Sequence, residues 1–288
     1  MMQHLVNATT HAKKATVSQC CRVLGVSRSG LYAARQRRLH PKSVCALSVQ
    51  AKAAFEASGQ SYGSRRLSAA LKVQGLAVGR QRARTLMRSN GLRARWRRKF
   101  MHTTDSRHAL PVAANVLARQ FNPQAPNRAW VGDITYIRTR SGWLYLAVVL
   151  DLFSRRIVGW SMAPSMPAQL VCTALGMAIA SRQPLPGLVV HSDRGSQYAS
   201  QDHTALLARH GLVCSMSRKG NCWDNAVMER FFLNLKMERV WQRDYANHGE
   251  AQVDIADYIV GFYNATRLHS TLGYRSPAQY EHQFLANH

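Results

Sequence analysis

RAWVGDITYIRT, residues 128–139, reads as a buried β-strand with a carboxylate set in its middle. It is rich in Val, Ile, Thr and Tyr, the residues that fit a pleated, packed surface. Asp133 interrupts it. An acid inside an apolar strand costs stability unless something compensates its charge. Acids are scarce in this chain, 14 against 39 Lys and Arg, so this one is not there as surface decoration. A divalent cation is one fitting partner.

Outward from that strand the pattern stays regular. Residues 140–142 form a turn, followed by the apolar run WLYLAVVLDLF (143–153) and then RIVGWSMA (156–163). Three strands with short connections predict an antiparallel meander. A helix is expected over 167–182, opened by Pro167 near its first position. LVVHSD (188–193) is a fourth strand that ends on Asp193. A helix over about 200–210, the strand LVCSMS (212–217), a helix over about 223–240 bearing Glu229 and a last helix over about 250–267 complete the order. This βββαβαβαα order is similar to that of the ribonuclease H-like α/β fold, with an all-α helix-turn-helix region in front of it. Open α/β sheets bind ligands at the carboxyl ends of their strands, where Asp193 sits. Glu229 reaches the same edge from a flanking helix.

Charge is unevenly placed. Residues 1–120 hold 23 Lys and Arg and two acids, a net of +21, whereas residues 121–288 carry only +4. The first part reads as an arm for a polyanion. Within it TVSQCCRVLGVSRSGLYAARQRR (16–38) has helix-turn-helix grammar. Val17, Cys20, Cys21 and Leu24 face inward, Gly25 turns the chain, and Ser27 caps a second helix that runs through Tyr32. A similar unit spans 62–92: Leu67, Ala70 and Leu71 make one stripe, Gly75 breaks it, Val78 packs, and a helix runs from about Arg80 to Ser89 before Asn90-Gly91. Arg80, Arg84 and Arg88 form a ridge on its outer face, with Arg65 and Arg66 on the preceding helix. Four domains follow: a helical segment over 1–58, a second helix-turn-helix over 59–100, a basic linker over 101–125 and the catalytic core over 126–288. The run from Arg93 to Lys99, with Trp96 and Phe100 interleaved, suits tracking a nucleic-acid backbone.

The six cysteines show no framework spacing and no CxxC, which argues against a disulfide scaffold or a zinc finger. The N-terminus lacks an apolar leader, and WLYLAVVL is too short to span a bilayer. A cytoplasmic protein, associated with DNA when bound, is expected.

The motifs WVGDITYI, VVLDLFSRRIVGW, VVHSDRGSQYAS, SRKGNCWDNAVMERFF and YNATRLHSTLGYRSPAQY closely resemble those of the integrase-like (DDE) transposases of bacterial insertion sequences, the IS-three family, in their second-frame product OrfB. The resemblance covers about residues 60–280. The 35 residues between Asp193 and Glu229 match the family interval, and Lys236 holds the basic place seven positions after the glutamate. It implies Asp133, Asp193 and Glu229 as catalytic residues and metal ligands for Mg²⁺, with Mn²⁺ substituting. Two ions are expected, with Asp133 bridging them. It implies double-stranded DNA, both element ends and target, as substrate, and a homo-oligomer, at least a dimer, on that DNA. It also implies a first-frame (OrfA-type) partner or frameshift fusion, because this chain lacks a sustained heptad repeat.

Asn225 and Lys236 share the helix face of Glu229, and Arg194 follows the second acid; all three are candidate DNA contacts, as are Gln197, Tyr198 and Arg267. His191 is read as a core or supporting histidine, and Asp151 and Asp224 as turn or cap residues. The competing function is a helix-turn-helix DNA-binding regulator with an inactive nuclease core. A plain ribonuclease H-like nuclease is disfavoured by the basic arm.

Overall fold

The computed structural model describes residues 16–39, 45–94, 111–218 and 222–287. The reading of Trp96 and Phe100, and of the linker up to residue 110, lies outside them. The described chain falls into two compact units, Met1–Gln50 and Ala51–His288.

In the first unit α1 (Val17–Val23) starts at a reciprocal cap in which the Thr16 hydroxyl accepts from the Gln19 N–H. Gly25 takes the left-handed turn at φ +64°, and the Ser27 hydroxyl accepts from the Gly30 N–H at the head of α2 (Arg28–Leu39). Two expectations change. Leu24 is 45% exposed rather than inward, and α2 runs past Tyr32 to Leu39.

In the second unit α3 (Ala46–Ala57), most of which belongs to it, leads into α4 (Ser64–Val73) and α5 (Arg80–Ser89). Leu67, Leu71, Val78, Ala83, Leu86 and Met87 are buried between the last two, as the apolar stripes require. The Ser68 hydroxyl donates to the Val78 carbonyl and fixes the turn.

The sheet follows: β1 (Ala129–Thr139), β2 (Gly142–Asp151), β3 (Ile157–Ala163), β4 (Val189–Ser192) and β5 (Val213–Met216), in the spatial order β3-β2-β1-β4-β5. The meander is antiparallel, whereas β4 and β5 join in parallel. Helices α6 (Ala168–Arg182) and α7 (Gln201–Arg209) cover one face, and α8 (Ala226–Glu238) and α9 (His248–Asp257) the other. The period of two decides which residues meet which layer. Trp130, Ala147 and Val149 pack with Leu170, Val171 and Leu175; Val131, Ile137, Leu146 and Val148 pack with Met228, Phe231 and Leu235. Gly159 lets α6 lie directly on β3, because a β-carbon there would collide with the Ala174 carbonyl.

Element ends differ from expectation where caps decide them. Pro167 is the N-cap of α6 rather than its first helical residue. The expected single helix over about 223–240 is a 3-10 turn, Cys222–Asn225, followed by α8. The last expected helix is α9 continued by a wider π-helical stretch, Tyr258–Asn264. A further helix, α10 (Pro277–Ala286), escaped notice although Ser276-Pro277 and Gln279 form a complete cap. No helix among the described residues is long and apolar enough to cross a membrane.

Candidate active site

Strand register brings the first two acids level. Val131 of β1 pairs with His191 of β4 in parallel. Asp133 lies two residues beyond Val131, and Asp193 two beyond His191, so both lie just past the point where the β1–β4 pairing ends. Asp133 shares the parity of Val131 and Ile137, which places it on the α8 side. Glu229 stands exposed in the first turn of α8, whose Met228, Phe231 and Leu235 anchor that helix on the sheet.

Asp193 and Glu229 both act electrostatically on Asp133. The Asp133 carboxyl is pushed well above the usual carboxylate range, first by burial, then by the charge of Asp193, with Glu229 adding to it. The Ile134 N–H, donating to Asp133 Oδ1 at 2.7 Å, and the cation of Lys236 oppose the rise. Asp193 Oδ1 accepts from the Gly195 N–H at 2.9 Å. Lys236 lies with its Nζ 4.7 Å from the centre of the Tyr136 ring, and burial lowers its pKa while Asp133 raises it.

Such a donor set is made of oxygen alone, which suits hard divalent cations. Among the described residues no three His, Cys, Asp or Glu groups are close enough to hold one ion between them.

Comparison with known proteins now decides the family. Residues 123–222 and 210–277 match two families described as "Integrase core domain", and residues 44–100 match an "HTH-like domain". The transposase InsF for insertion sequence IS3A of Escherichia coli (strain K12) is 43% identical over 286 residues, covering 96% of this chain and 97% of that protein. The chain belongs to the IS3-type insertion-sequence transposases. A 31 kDa protein of insertion element IS600 from Shigella sonnei is 44% identical over 266 residues, 92% of this chain and 98% of that one. The catalytic core domain of HTLV-2 integrase in complex with magnesium is 18% identical and covers 56% of this chain and 100% of that one, with a TM-score of 0.44.

Around the triad, the transposase uses several expected DNA contacts for its own architecture. Asn225 is buried, and its Nδ2 donates to the Gly132 carbonyl at 3.4 Å, so it braces the root of α8 against β1 rather than facing outward. Tyr198 is buried and packs on Gly132. Arg194 is half-buried, and its Nε donates to the Ser217 carbonyl at 2.6 Å. Gln197 donates to the Met166 carbonyl at 3.1 Å. His191 is fully buried, bonded to the Ser215 and Ser217 hydroxyls at 2.9 and 3.2 Å, and burial lowers its pKa to about 4. The side chain of Trp223 lies outside the described residues. Arg65, Arg80, Arg84 and Arg88 are exposed, as a phosphate-facing surface requires.

The C-terminal motif holds the largest surprise. Arg267, expected at phosphate, is 1% exposed. It forms a two-pronged pair with Glu238, the last residue of α8, with both bonds at 2.7 Å. The Tyr258 hydroxyl donates to the same carboxylate at 2.7 Å. Arg66 lies 3.8 Å from it, and the Leu268 N–H donates to the Tyr62 hydroxyl at 2.9 Å. This buried cluster fastens the α4–α5 pair to the catalytic core. Asn264 joins β3 by exchanging two 2.9 Å bonds with the Ile157 backbone. Nothing in the motif's spacing signals these pairings.

Asp224, read as a cap residue, is a buried junction. Arg119, Arg218 and Asn115 all donate to it, and Arg218, with Arg119, holds its carboxyl far below the ordinary range. Asp151 is likewise structural, accepting from the Asn127 and Phe153 N–H groups at 2.7 and 2.8 Å.

Proposed function

We propose that the protein cleaves DNA at the ends of its insertion element and joins the freed 3′-OH to target DNA, in a reaction that requires Mg²⁺ or Mn²⁺. The observation that carries this reading is the mutual electrostatic influence of Asp133, Asp193 and Glu229 at one sheet edge. A carboxylate whose charge is disfavoured by its surroundings is a receptor for a cation. The carboxylates of Asp133, Asp193 and Glu229 would hold the divalent cation, with Asp133 as the central ligand. The metal, when bound, polarises the scissile phosphodiester and makes the attacking oxygen a better nucleophile.

The remaining work falls to the chain. β1 and β4 fix two carboxylates on rigid strands, and α8 brings the third. Lys236, on the same helix as Glu229, is placed to hold a phosphate beside the reacting bond. Water attacks one phosphodiester, a new P–O bond forming as the opposite one breaks and releases the 3′-OH. That hydroxyl attacks a target phosphodiester in the same in-line sense. No covalent bond to the protein is required. Duplex DNA lies along the arginines of α4 and α5, and two ends need at least two copies of the chain. An OrfA-type partner would assist end finding. Action in the cytoplasm follows from this substrate.

The test is incubation of the purified protein with labelled element ends and Mg²⁺ or Mn²⁺. Cleavage and joining that vanish in Asp133→Asn, with DNA binding retained, support the reading. Binding without cleavage in the unaltered protein, even with an OrfA-type partner added, would sink it and leave a DNA-binding regulator.

A further inference from the structure

An open cleft of about 370 Å³ is lined by Gly63, Ser64, Arg65, Arg66 and Arg80 on one side and by Ser270 and Tyr274 on the other. The first wall comes from the starts of α4 and α5; the second comes from the loop after the π-helical stretch. The walls are locked to each other, because the Tyr62 hydroxyl accepts from the Leu268 N–H and Arg66 reaches Glu238.

Charge in this cleft is placed against the usual rule. Helix N-termini favour acids, because their first N–H groups carry partial positive charge. Neither α4 nor α5 has an acid in its first turn, both start at a glycine N-cap, and neither has a side-chain cap. Arginines occupy those first turns instead. Among the described residues no salt bridge forms to Arg65 or Arg80, and Arg66 shares the one carboxylate of Glu238 with the buried Arg267. Burial, and after it the charge of Arg267, lowers the pKa of Arg66, with Glu238 opposing. A stable fold keeps such a cluster where an anion compensates it.

We propose that this cleft seats one backbone phosphate of duplex DNA, gripped at once by the arginines of the α4–α5 pair and by the hydroxyls of Ser270 and Tyr274 from the catalytic core. The proposal rests on the DNA-joining reading above and deepens it. One phosphate held by both walls sets the distance along the duplex between the segment on the helix-turn-helix and the bond presented to Asp133.

A phosphate scan tests this. The full-length protein is titrated into labelled duplexes carrying the sequence that flanks its own gene, each with one phosphate replaced by a neutral methylphosphonate. The unaltered protein should lose about fivefold or more in affinity at the seated phosphate. In the Ser270→Ala/Tyr274→Phe variant, and separately in Arg80→Gln, the loss at that position should shrink below about twofold while other positions keep theirs. Scans unchanged in both variants, each with native thermal unfolding, overturn the cleft but leave duplex binding standing. Stabilisation by inorganic phosphate that depends on Arg80, together with unchanged scans, overturns it in favour of a small-anion site. Failure of the unaltered protein to bind any duplex removes both this proposal and the reading beneath it.

Discussion

Asp133 and Asp151 sit on neighbouring, hydrogen-bonded strands, and their surroundings are opposite. Asp151 is fully buried and accepts from two backbone N–H groups and the Trp130 indole, with the Arg182 guanidinium 3.9 Å away. Asp133 accepts from its neighbour Ile134 and otherwise faces two further carboxylates, with Lys236 as the opposing cation. Both carboxyls are raised by burial, but the protein compensates one charge and concentrates the other. The same division runs through the molecule. Glu238, Glu281 and Asp224 each meet arginine: Glu238 meets Arg267, Glu281 meets Arg156 and Arg182, and Asp224 meets Arg119 and Arg218. Compensated acids hold the fold; Asp133, raised by burial and by its acidic neighbours, belongs to the site proposed to take a cation.

The largest effect should come from breaking the second class. Asp133→Asn is expected to abolish strand transfer in a gel-based joining assay. The same change removes a charge that burial and like neighbours disfavour. Its urea midpoint should therefore stay level or rise. A clear loss of stability would place Asp133 with Asp151 and erase the contrast.

Breaking the first class should do the reverse. Glu238→Gln leaves Arg267, 1% exposed, without its carboxylate. A loss of about 3–5 kcal/mol in urea unfolding is expected. Replacing both partners, as Glu238→Gln/Arg267→Met, should recover part of it, because the fully buried charge is then gone and only the half-buried Arg66 has lost that carboxylate. Equal destabilisation by the single and double variants would show that the pair acts through shape alone.

How far the sequence reveals this division depends on distance along the chain. Asp133 was legible because an acid in an apolar strand violates a local rule. The stripes of α4 and α5, and the stop at Asn90-Gly91, were legible because they repeat within a few residues. Asp193 and Glu229 need the resemblance of whole motifs, since nothing local says that two residues with 35 others between them share a site with a third. The pairings that compensate charge were not legible. Tyr62 and Leu268 meet across 206 positions, and Glu238 and Arg267 across 29. An arginine in a polar motif looks the same in sequence whether it faces phosphate or a buried carboxylate, so Arg267 was misread. Helix α10, by contrast, is legible from its cap alone, because Ser276, Pro277 and Gln279 lie within four residues.

Asp224 sharpens the comparison at low pH. Its folded carboxyl lies far below the ordinary value, chiefly through the bond from Arg218, with Arg119 contributing. A depressed carboxylate stabilises the fold above the unfolded pKa of about 4 and loses that contribution as pH falls further. Asp224→Asn should therefore lower the melting temperature near pH 7 and lower it somewhat less near pH 3, where the folded carboxylate is still ionised. Its cost near pH 7 should be smaller than that of Glu238→Gln, because Arg218 is exposed and partly screened by solvent.

The smallest effect comes from a neutral buried group. His203 is 2% exposed, its Nδ1 lies 3.1 Å from the Tyr198 carbonyl, and burial lowers its pKa to about 4. The unfolded chain takes up a proton near pH 6.5, whereas the folded one resists until about pH 4. Stability is thus fully present above pH 6.5 and falls between these values. His191 and His269, both also lowered by burial, share that slope. His203→Asn keeps a donor for the Tyr198 carbonyl and cannot titrate. The variant should lose less stability than the unaltered protein between pH 6.5 and 4, measured by urea unfolding at each pH. An identical slope would mean that His203 is protonated in the fold, and that the protein compensates a buried cation there as it compensates its structural acids.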